Sequence, residues 1–258
     1  MPEGDTVYRT AVNLDAALAG GELIRCDIRV PVFATVDLTG DVVEGVVSRG
    51  KHLLIRIGEH SIHSHLKMEG SWHVYRHGTN WRRPEWQARA ILATADWVAV
   101  GFQLGTLDVV ARKDEASVVG YLGPDLLGPD WNADEALLRL TASPARAVGL
   151  ALLDQRVMAG LGNVYRNELC FLSGILPTRP VGEIENPAKL VALAHRLIDA
   201  NKDRVERTTT GTLRGDTDWV YRREGKPCLR CGTRVERGEL GETALQLRDI
   251  YWCPQCQR

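Results

Sequence analysis

Four cysteines near the end of the chain constrain its fold more than any other feature. Cys228 and Cys231, then Cys253 and Cys256, form two Cys-x2-Cys knuckles 21 residues apart, the spacing of a tetrahedral zinc ribbon. Four sulfur ligands leave no open coordination position, so one zinc per chain is expected there in a structural role. A tail this short has too little apolar surface to fold without the metal. A disulfide framework would need an oxidising compartment. The N-terminus offers Glu3 and Asp5 in place of the apolar stretch of a secretory signal, so a cytosolic, bacterial cytosol or nucleoid, location is expected. Between the knuckles, Arg234 to Glu239 and Thr243 to Leu247 suggest a hairpin turned at Gly238-Glu239-Leu240-Gly241, with Arg248 just before the return strand. Cys26 and Cys170 stand alone in apolar surroundings and read as core residues.

The 258 residues ahead of and including this tail allow two or three small domains. Asp5 reads as the N-cap of a leading helix, with Val7, Ala11, Leu14 and Leu18 at helical spacing and Gly20-Gly21 closing it. From Leu23 to about Leu122 the pattern is one of short β-rich runs, including Ile28 to Val30, Val42 to Val47, Leu53 to Ile57, Ile91 to Ala93 and Trp97 to Val100. Gly and Asp punctuate them, as in an all-β sandwich or barrel. Helical stretches follow from Asp134 to Leu140, from Ala147 to Ala159, from an Asn163 cap to Ser173, and from Asn186-Pro187 through Ile198. Thr208 to Gly215 reads as a polar linker. The expected order is a β domain over 1–122, a helical domain over 130–212 and a metal-stapled finger over 218–258. No apolar run is long enough to span a membrane.

Net charge is −1, but its distribution is uneven: residues 1–150 carry 15 basic and 19 acidic side chains, and residues 201–258 carry 12 and 9. A surface for nucleic acid is therefore local and expected towards the C-terminus. Other polar positions gain meaning only in combination. Pro2 would offer a secondary amine if Met1 were removed, with the Glu3 carboxylate beside it; a secondary amine condenses with a sugar aldehyde to a cationic iminium. The alternative is that Pro2 merely permits methionine removal. Lys51 shares strand parity with Leu53, Ile55 and Ile57 and so points to the buried face, or else snorkels from the rim. His63 and His65 alternate on one face without a carboxylate in sequence beside them, which argues against a second metal site. Met68 stands at the tip of a turn with Lys67 and Glu69, an incidental exposed residue or a wedge for a site vacated by an extruded base. The Gly160-Leu161-Gly162-Asn163 turn starts a helix whose free N–H groups attract phosphate, although Asn163 alone reads as a plain cap.

Taken together, Pro2-Glu3-Gly4, Arg49-Gly50-Lys51, the Asp154 to Tyr165 turn with Glu168, Tyr221 to Cys228, and Arg248 to Cys256 resemble the formamidopyrimidine-DNA glycosylase/endonuclease VIII family. The resemblance spans essentially the whole length. It implies an α+β multidomain protein: an N-terminal β-sandwich with a leading helix, a helix–two-turn–helix domain and a zinc-ribbon finger, with damaged DNA in a cleft between them. It further implies that Pro2 attacks C1′ and forms the Schiff base, Glu3 acts as acid/base near the sugar, and Lys51 assists β-elimination. Arg248 would hold a phosphate and serve δ-elimination, Asn163 would hold backbone phosphate, and Met68, with Lys67 beside it, would fill the gap left by the flipped base. A monomeric DNA glycosylase and abasic-site lyase is the expected activity.

Departures point to a branch. Pro-Glu-Gly, and Leu153-Asp154-Gln155, look like the endonuclease VIII side. The Asp-Pro-Arg-Arg-Phe-Gly stretch of the formamidopyrimidine enzymes is absent, and Gly101-Phe102-Gln103-Leu104-Gly105 stands roughly there. Thr6 replaces a glutamate common in both branches, and Lys67 and Glu69 differ from the endonuclease VIII void-filling residues. Oxidised pyrimidines are therefore the expected substrates. Two alternatives stay open: a glycosylase for oxidised purines, and a zinc-ribbon DNA-binding protein without catalysis, which would leave Pro2, Glu3 and Lys51 without purpose.

Overall fold

The structure, a computed structural model, describes residues 2–258; the expected removal of Met1 lies outside the described residues. Contacts divide the chain into two compact units, residues 1–121 and 122–258.

The first unit begins with α1 (Gly4–Leu18), whose N-cap is Glu3 and not Asp5. The helix starts two residues earlier than the sequence suggests because the Glu3 carbonyl already accepts from Val7 N at 3.1 Å. The Asp5 carboxylate accepts from the next residue, Thr6 N, at 2.7 Å. Val7, Ala11, Leu14 and Leu18 form the buried stripe, as their spacing predicts. The helix closes at Gly20, whose φ of +79° suits glycine alone among ordinary residues.

Eight antiparallel strands follow, β1 (Arg25–Ile28), β2 (Val43–Arg49), β3 (His52–Ile57), β4 (His60–His65), β5 (Ser71–Arg76), β6 (Ala88–Ala93), β7 (Trp97–Phe102) and β8 (Thr106–Ala111). They make two four-stranded sheets of a sandwich, in the orders β1-β6-β7-β5 and β2-β3-β4-β8. Leu53, Ile55, Ile57 and Ile62 from one sheet meet Ala90, Leu92 and Ala99 from the other in the same apolar cluster as the α1 stripe. A bulge between Val43 and Gly45 breaks the β2 ladder, and Asp15 of α1 fills it, accepting from Val46 N at 2.7 Å. The helix is thereby tied to the sheet by a polar bond as well as by packing. A four-residue helix, α2 (Ala116–Val119), ends the unit.

The second unit contains α3 (Ala133–Thr141), α4 (Val148–Ala151), α5 (Asn163–Leu172) and α6 (Pro187–Asp199), then a hairpin of β9 (Glu236–Leu240) and β10 (Arg248–Trp252). The Asn186-Pro187 start holds: the Asn186 side chain accepts from Lys189 N at 2.9 Å. The helix expected from Ala147 to Ala159 is only the single turn of α4. Asp154 accepts from Arg156 N at 2.9 Å, and Gln155 bonds Leu153 O, Leu161 O and Gly160 N at 2.8, 2.9 and 3.0 Å. These side chains take backbone partners that a continuous helix would need, and so end it. Thr208 to Gly215 is only in part the expected linker: Gly211 to Gly215 is exposed, but its start is anchored. Thr208 and Thr209 are buried, and Asn201 clamps Thr208 through both its N–H and its carbonyl at 2.9 and 3.0 Å. The hairpin turns later than expected, over 241–247, with Leu240 opposite Arg248; Arg248 therefore opens the return strand. Among the described residues, no helix is long and apolar enough to cross a membrane.

Candidate functional site

In the first unit the chemistry collects where α1 begins and at one end of the β2-β3-β4-β8 sheet. Pro2 is half-buried, and the Glu3 side chain directly behind it is fully buried. Lys51 does not sit on the strand: Arg49 pairs with His52, so Gly50-Lys51 is a two-residue hairpin turn. The φ of +57° at Gly50 is what so tight a turn requires. Lys51 is half-buried there, held at the mouth of β3 and not on its buried face.

His52, on β3, and His63, on β4, are both buried and stack with ring centroids 5.0 Å apart. His63 does have a carboxylate partner, contrary to the sequence reading. Asp108 of β8, its cross-strand neighbour, lies with Oδ2 3.0 Å from His63 Nδ1. His52 Nδ1 is 2.8 Å from His63 Nε2, and His52 Nε2 is 3.0 Å from the Tyr121 hydroxyl. Burial pushes His52 down to about 3 and His65 down to about 4, with the charges of Lys51 and Lys67 acting in the same direction. Both rings are therefore neutral near pH 7.

Met68 is exposed on the turn that follows β4. Lys67 has a φ of +54°, and its N–H donates to His65 Nδ1 at 2.9 Å. Gln103, in the stretch 101–105, is also in the left-handed region at +46°. Arg83 joins the two turns, donating to Gln103 Oε1 at 2.7 Å and to Glu69 O at 3.2 Å. Gly70 and Gly105 are required by the closeness of the turns. A Cβ at Gly70 would lie 2.4 Å from Leu66 O, and one at Gly105 would lie 2.2 Å from Lys67 Cγ. Two non-glycine residues in strained backbone, braced by one arginine, are the kind of local cost found at ligand-gripping loops.

In the second unit, Asn163 is the first residue of α5 and Gly162 is its cap, so the plain-cap reading of Asn163 fails. Its side chain instead donates to Asp249 O at 3.1 Å and accepts from Arg166. Arg166 also reaches Asp249 O at 2.8 Å, and Asn167 accepts from Tyr251 N at 2.7 Å. Positions 163, 166 and 167 share one helix face by their i, i+3, i+4 spacing. Together they clamp β10, which carries the exposed Arg248 at its head. Arg248 lines a cavity of about 300 Å³ with Arg146, Asp154 and Glu242. Arg146 bridges the two acids at 2.8 and 2.5 Å.

Glu168 anchors the start of the tail. Fully buried, its carboxylate accepts from Trp219 N, Val220 N and Tyr221 N at 2.7, 3.0 and 2.9 Å, and from the Thr209 hydroxyl. Burial pushes its pKa up, and these four donors oppose the shift. Beyond this anchor the sulfur atoms of Cys228, Cys231, Cys253 and Cys256 lie within 4.8 Å of one another. The Cys231 and Cys253 sulfurs are 3.4 Å apart, far beyond the roughly 2.05 Å of a disulfide. A tetrahedron of metal–sulfur bonds of about 2.3 Å has edges near 3.8 Å, so the four fit a metal ion with small adjustments. Bonds from Thr233 lower Cys231 to about 6, while burial and the neighbouring thiols push Cys256 up to about 12. A bound cation would favour the thiolate at all four.

Residues 1–105 match the family described as the formamidopyrimidine-DNA glycosylase N-terminal domain, and residues 122–214 match the formamidopyrimidine-DNA glycosylase H2TH domain. The chain belongs to the formamidopyrimidine-DNA glycosylase family. Within it, the chain is 54% identical over 261 residues to the "Probable endonuclease 8 2" of Streptomyces coelicolor, covering all of this chain and 94% of that one. It is also 54% identical to the "DNA-(apurinic or apyrimidinic site) lyase Nei2" of Mycolicibacterium smegmatis, covering 100% and 99% of the two chains. Among solved structures, the fold matches MutM in complex with DNA containing carbocyclic 8-oxo-G, with TM-score 0.82 at 22% identity over the full length of both chains. The wild-type Lactococcus lactis Fpg (MutM) bound to DNA containing an oxidized pyrimidine matches equally, at TM-score 0.82 and 22% identity over both full lengths.

For this member of the family, the sequence reading missed the Arg166–Asn167 clamp, the Arg83 brace and the His52–His63–Asp108 chain. The clamp had a signal in its helical spacing. The other two join residues distant in sequence and become visible only once strand register is known.

Proposed function

We infer that the chain is a DNA-repair enzyme with DNA glycosylase and abasic-site lyase activities, and that oxidised pyrimidines are its preferred lesions. The observation that carries the reading is the head of α1. A fully buried carboxylate, Glu3, stands immediately behind the one residue, Pro2, whose backbone nitrogen becomes a secondary amine once Met1 is gone. Likeness to endonuclease 8 and abasic-site lyase relatives over the full chain supports it.

In the proposed sequence, the Pro2 nitrogen attacks C1′ of the damaged nucleotide and the bond to the base breaks. The base departs with the bonding pair and takes up a proton. Glu3 supplies the acid/base work at the sugar, and the opened sugar is held as an iminium on Pro2. The cation acidifies C2′, so loss of a proton there expels the 3′ phosphate; a second elimination expels the 5′ phosphate, and water releases Pro2. Lys51, at its hairpin tip, assists the first elimination, and Arg248, exposed at the head of β10, serves the second. Asn163 spends one amide N–H on Asp249 O and has a second to offer a phosphate. Met68, with Lys67 beside it, fills the space vacated by the extruded base.

Cys228, Cys231, Cys253 and Cys256 are proposed to hold one structural zinc, which fixes the hairpin and takes no part in the chemistry. The protein is proposed to act as a monomer in a reducing cytosol, where these thiols remain free to ligate.

A panel of duplexes carrying an oxidised pyrimidine, 8-oxoguanine, an abasic site or no lesion tests the reading. The expected result is fastest cleavage at the oxidised pyrimidine and the abasic site, with ends from β,δ-elimination. Faster excision of 8-oxoguanine would move the protein to the purine branch. Binding without cleavage of any lesion would favour the non-catalytic alternative.

A further inference from the structure

The β1-β6-β7-β5 sheet alternates in the ordinary way: Leu92 and Ala99 join the sandwich core, so Ile91 and Val100 face away from it. On that outward face Tyr75, Ile91, Val100 and Phe102 make a cluster of their own, with Trp81 packed against it. Trp81 stacks on Tyr75 with centroids 6.5 Å apart and meets Phe102 edge-on at 5.9 Å. The N–H of the next residue, Arg82, donates to the Tyr75 hydroxyl at 3.1 Å. Further along, Gln87 O accepts from Gln103 N at 2.9 Å. The connection from β5 to β6 is thus anchored on either side of Arg83, against Phe102 and then Gln103.

From this base Arg83 reaches two turns. Its Nη1 donates to Gln103 Oε1 at 2.7 Å and to Glu69 O at 3.2 Å, which commits both hydrogens of that nitrogen. Each turn holds one residue in the left-handed region, Gln103 at φ +46° and Lys67 at +54°, where a Cβ is strained. Gly70 N donates to Leu66 O at 2.9 Å and Gly105 N to His65 O at 3.1 Å. These bonds close the bases of the turns and leave the tip untouched. Among the described residues, the tip Met68-Glu69 has one hydrogen bond, that from Arg83 to Glu69 O. Met68 is 58% exposed, so packing does not hold the tip either.

A wedge in a duplex gap must resist the stacking that would close it, and an unbraced tip yields. A phosphate contact is the other role for such an arginine. Arg83 is half-buried and spends its Nη1 hydrogens on protein acceptors, which favours bracing. We propose that Arg83 is a positioning residue for Met68. It ties the 66–70 turn to the 101–105 turn, so that the tip enters the space vacated by the extruded base as one piece with the end of β7. The proposal deepens the functional reading above and rests on Met68 filling that space.

A double-mutant cycle tests it, using the full-length protein and single-turnover base excision from a duplex holding an oxidised pyrimidine. Arg83→Met keeps the stem and removes the donors. It should slow excision about tenfold, as loss of a charged hydrogen bond does, while binding to undamaged duplex stays at the wild-type level. 2-Aminopurine placed next to the lesion brightens when it loses its stacking partner. At saturating protein it should brighten less with Arg83→Met than with the wild type. Arg83→Met added to Met68→Ala should slow excision no further than Met68→Ala alone, because both changes remove one function. Wild-type excision by Arg83→Met, undiminished brightening, or additive slowing in the double variant would overturn the proposal while leaving Met68 its role. So would weakened binding to undamaged duplex, the mark of a phosphate contact. Excision at the wild-type rate by Met68→Ala would remove the reading of Met68 and the proposal with it.

Discussion

The head of α1 and the cysteine tail are held in place by different physics. The stripe of α1 is packed into a continuous sandwich core, with Leu14, Leu18, Leu53, Ile55 and Ile62 all fully buried. The residues proposed for base excision thus sit on a scaffold stabilised by apolar burial spread over many side chains. The tail's cluster is Phe171, Val220, Val235 and Tyr251 with Cys228 and Cys253, so its ligands make up part of its own core. Its remaining order comes from single polar anchors: Glu168, Asn167 and Asn163. Distributed burial fails gradually under substitution; an assembly hung on a few groups fails one group at a time.

The largest effect is therefore expected from Cys228→Ser or from chelation. A structural zinc of this type is worth on the order of 10 kcal/mol, more than so small a cluster can replace. Metal should be released, the β9–β10 hairpin should lose amide protection, and specific DNA binding should vanish, while the first unit keeps its protection from hydrogen exchange. An equal loss of protection in both units would break the comparison, and purified protein without stoichiometric zinc would remove its basis. Arg248→Ala acts on a side chain that the hairpin displays but does not need for folding. Base excision should be largely spared and products should shift from δ- towards β-elimination on a sequencing gel; an unchanged ratio takes Arg248 out of the chemistry.

Asn163→Ala should cost less, because Arg166 still donates to Asp249 O. Binding to damaged and undamaged duplex should weaken together, roughly fivefold, as for one hydrogen bond. Unchanged affinity at moderate salt would confine Asn163 to bracing β10. The smallest effect concerns the histidines of the first unit. His52 and His65 titrate near 3 and 4 in the folded protein against about 6.5 unfolded. Between these values the unfolded chain binds more protons, so the stability tied to neutral rings is complete above about pH 6.5 and is lost as pH falls. For His52 the slope should stay below about 1 kcal/mol per pH unit, since the ring keeps some solvent contact. His52→Gln should flatten the pH dependence of unfolding over that window; an unchanged slope would show that the ring is not held neutral.

The two regions also differed in how readily the sequence disclosed them. The Cys-x2-Cys pairs announce themselves because metal ligation fixes residue type and local spacing together. The α1 stripe and the Asn186 cap were legible for a similar reason, since each is decided within a turn or two of helix. What escaped depended on side chains that compete with the backbone, as Asp154 and Gln155 do in ending α4, or on strand register. Lys51 read as a strand residue until the Arg49–His52 pairing placed it in the turn. Asp108 lies 45 residues from the histidine it orients, and no local pattern joins them.

The central claim is that the chemistry starts from the amine of Pro2, and borohydride trapping tests it most directly. Borohydride reduces an iminium to a stable amine, so the Met1-processed protein should become covalently linked to duplex DNA bearing an oxidised pyrimidine or an abasic site. Peptide mapping should place the adduct on Pro2. Protein retaining Met1, whose Pro2 nitrogen is an amide, should bind the same DNA without crosslinking, and Glu3→Gln should bind the lesion without releasing the base. Efficient trapping by protein that retains Met1, or an adduct mapped to Lys51, would contradict the account.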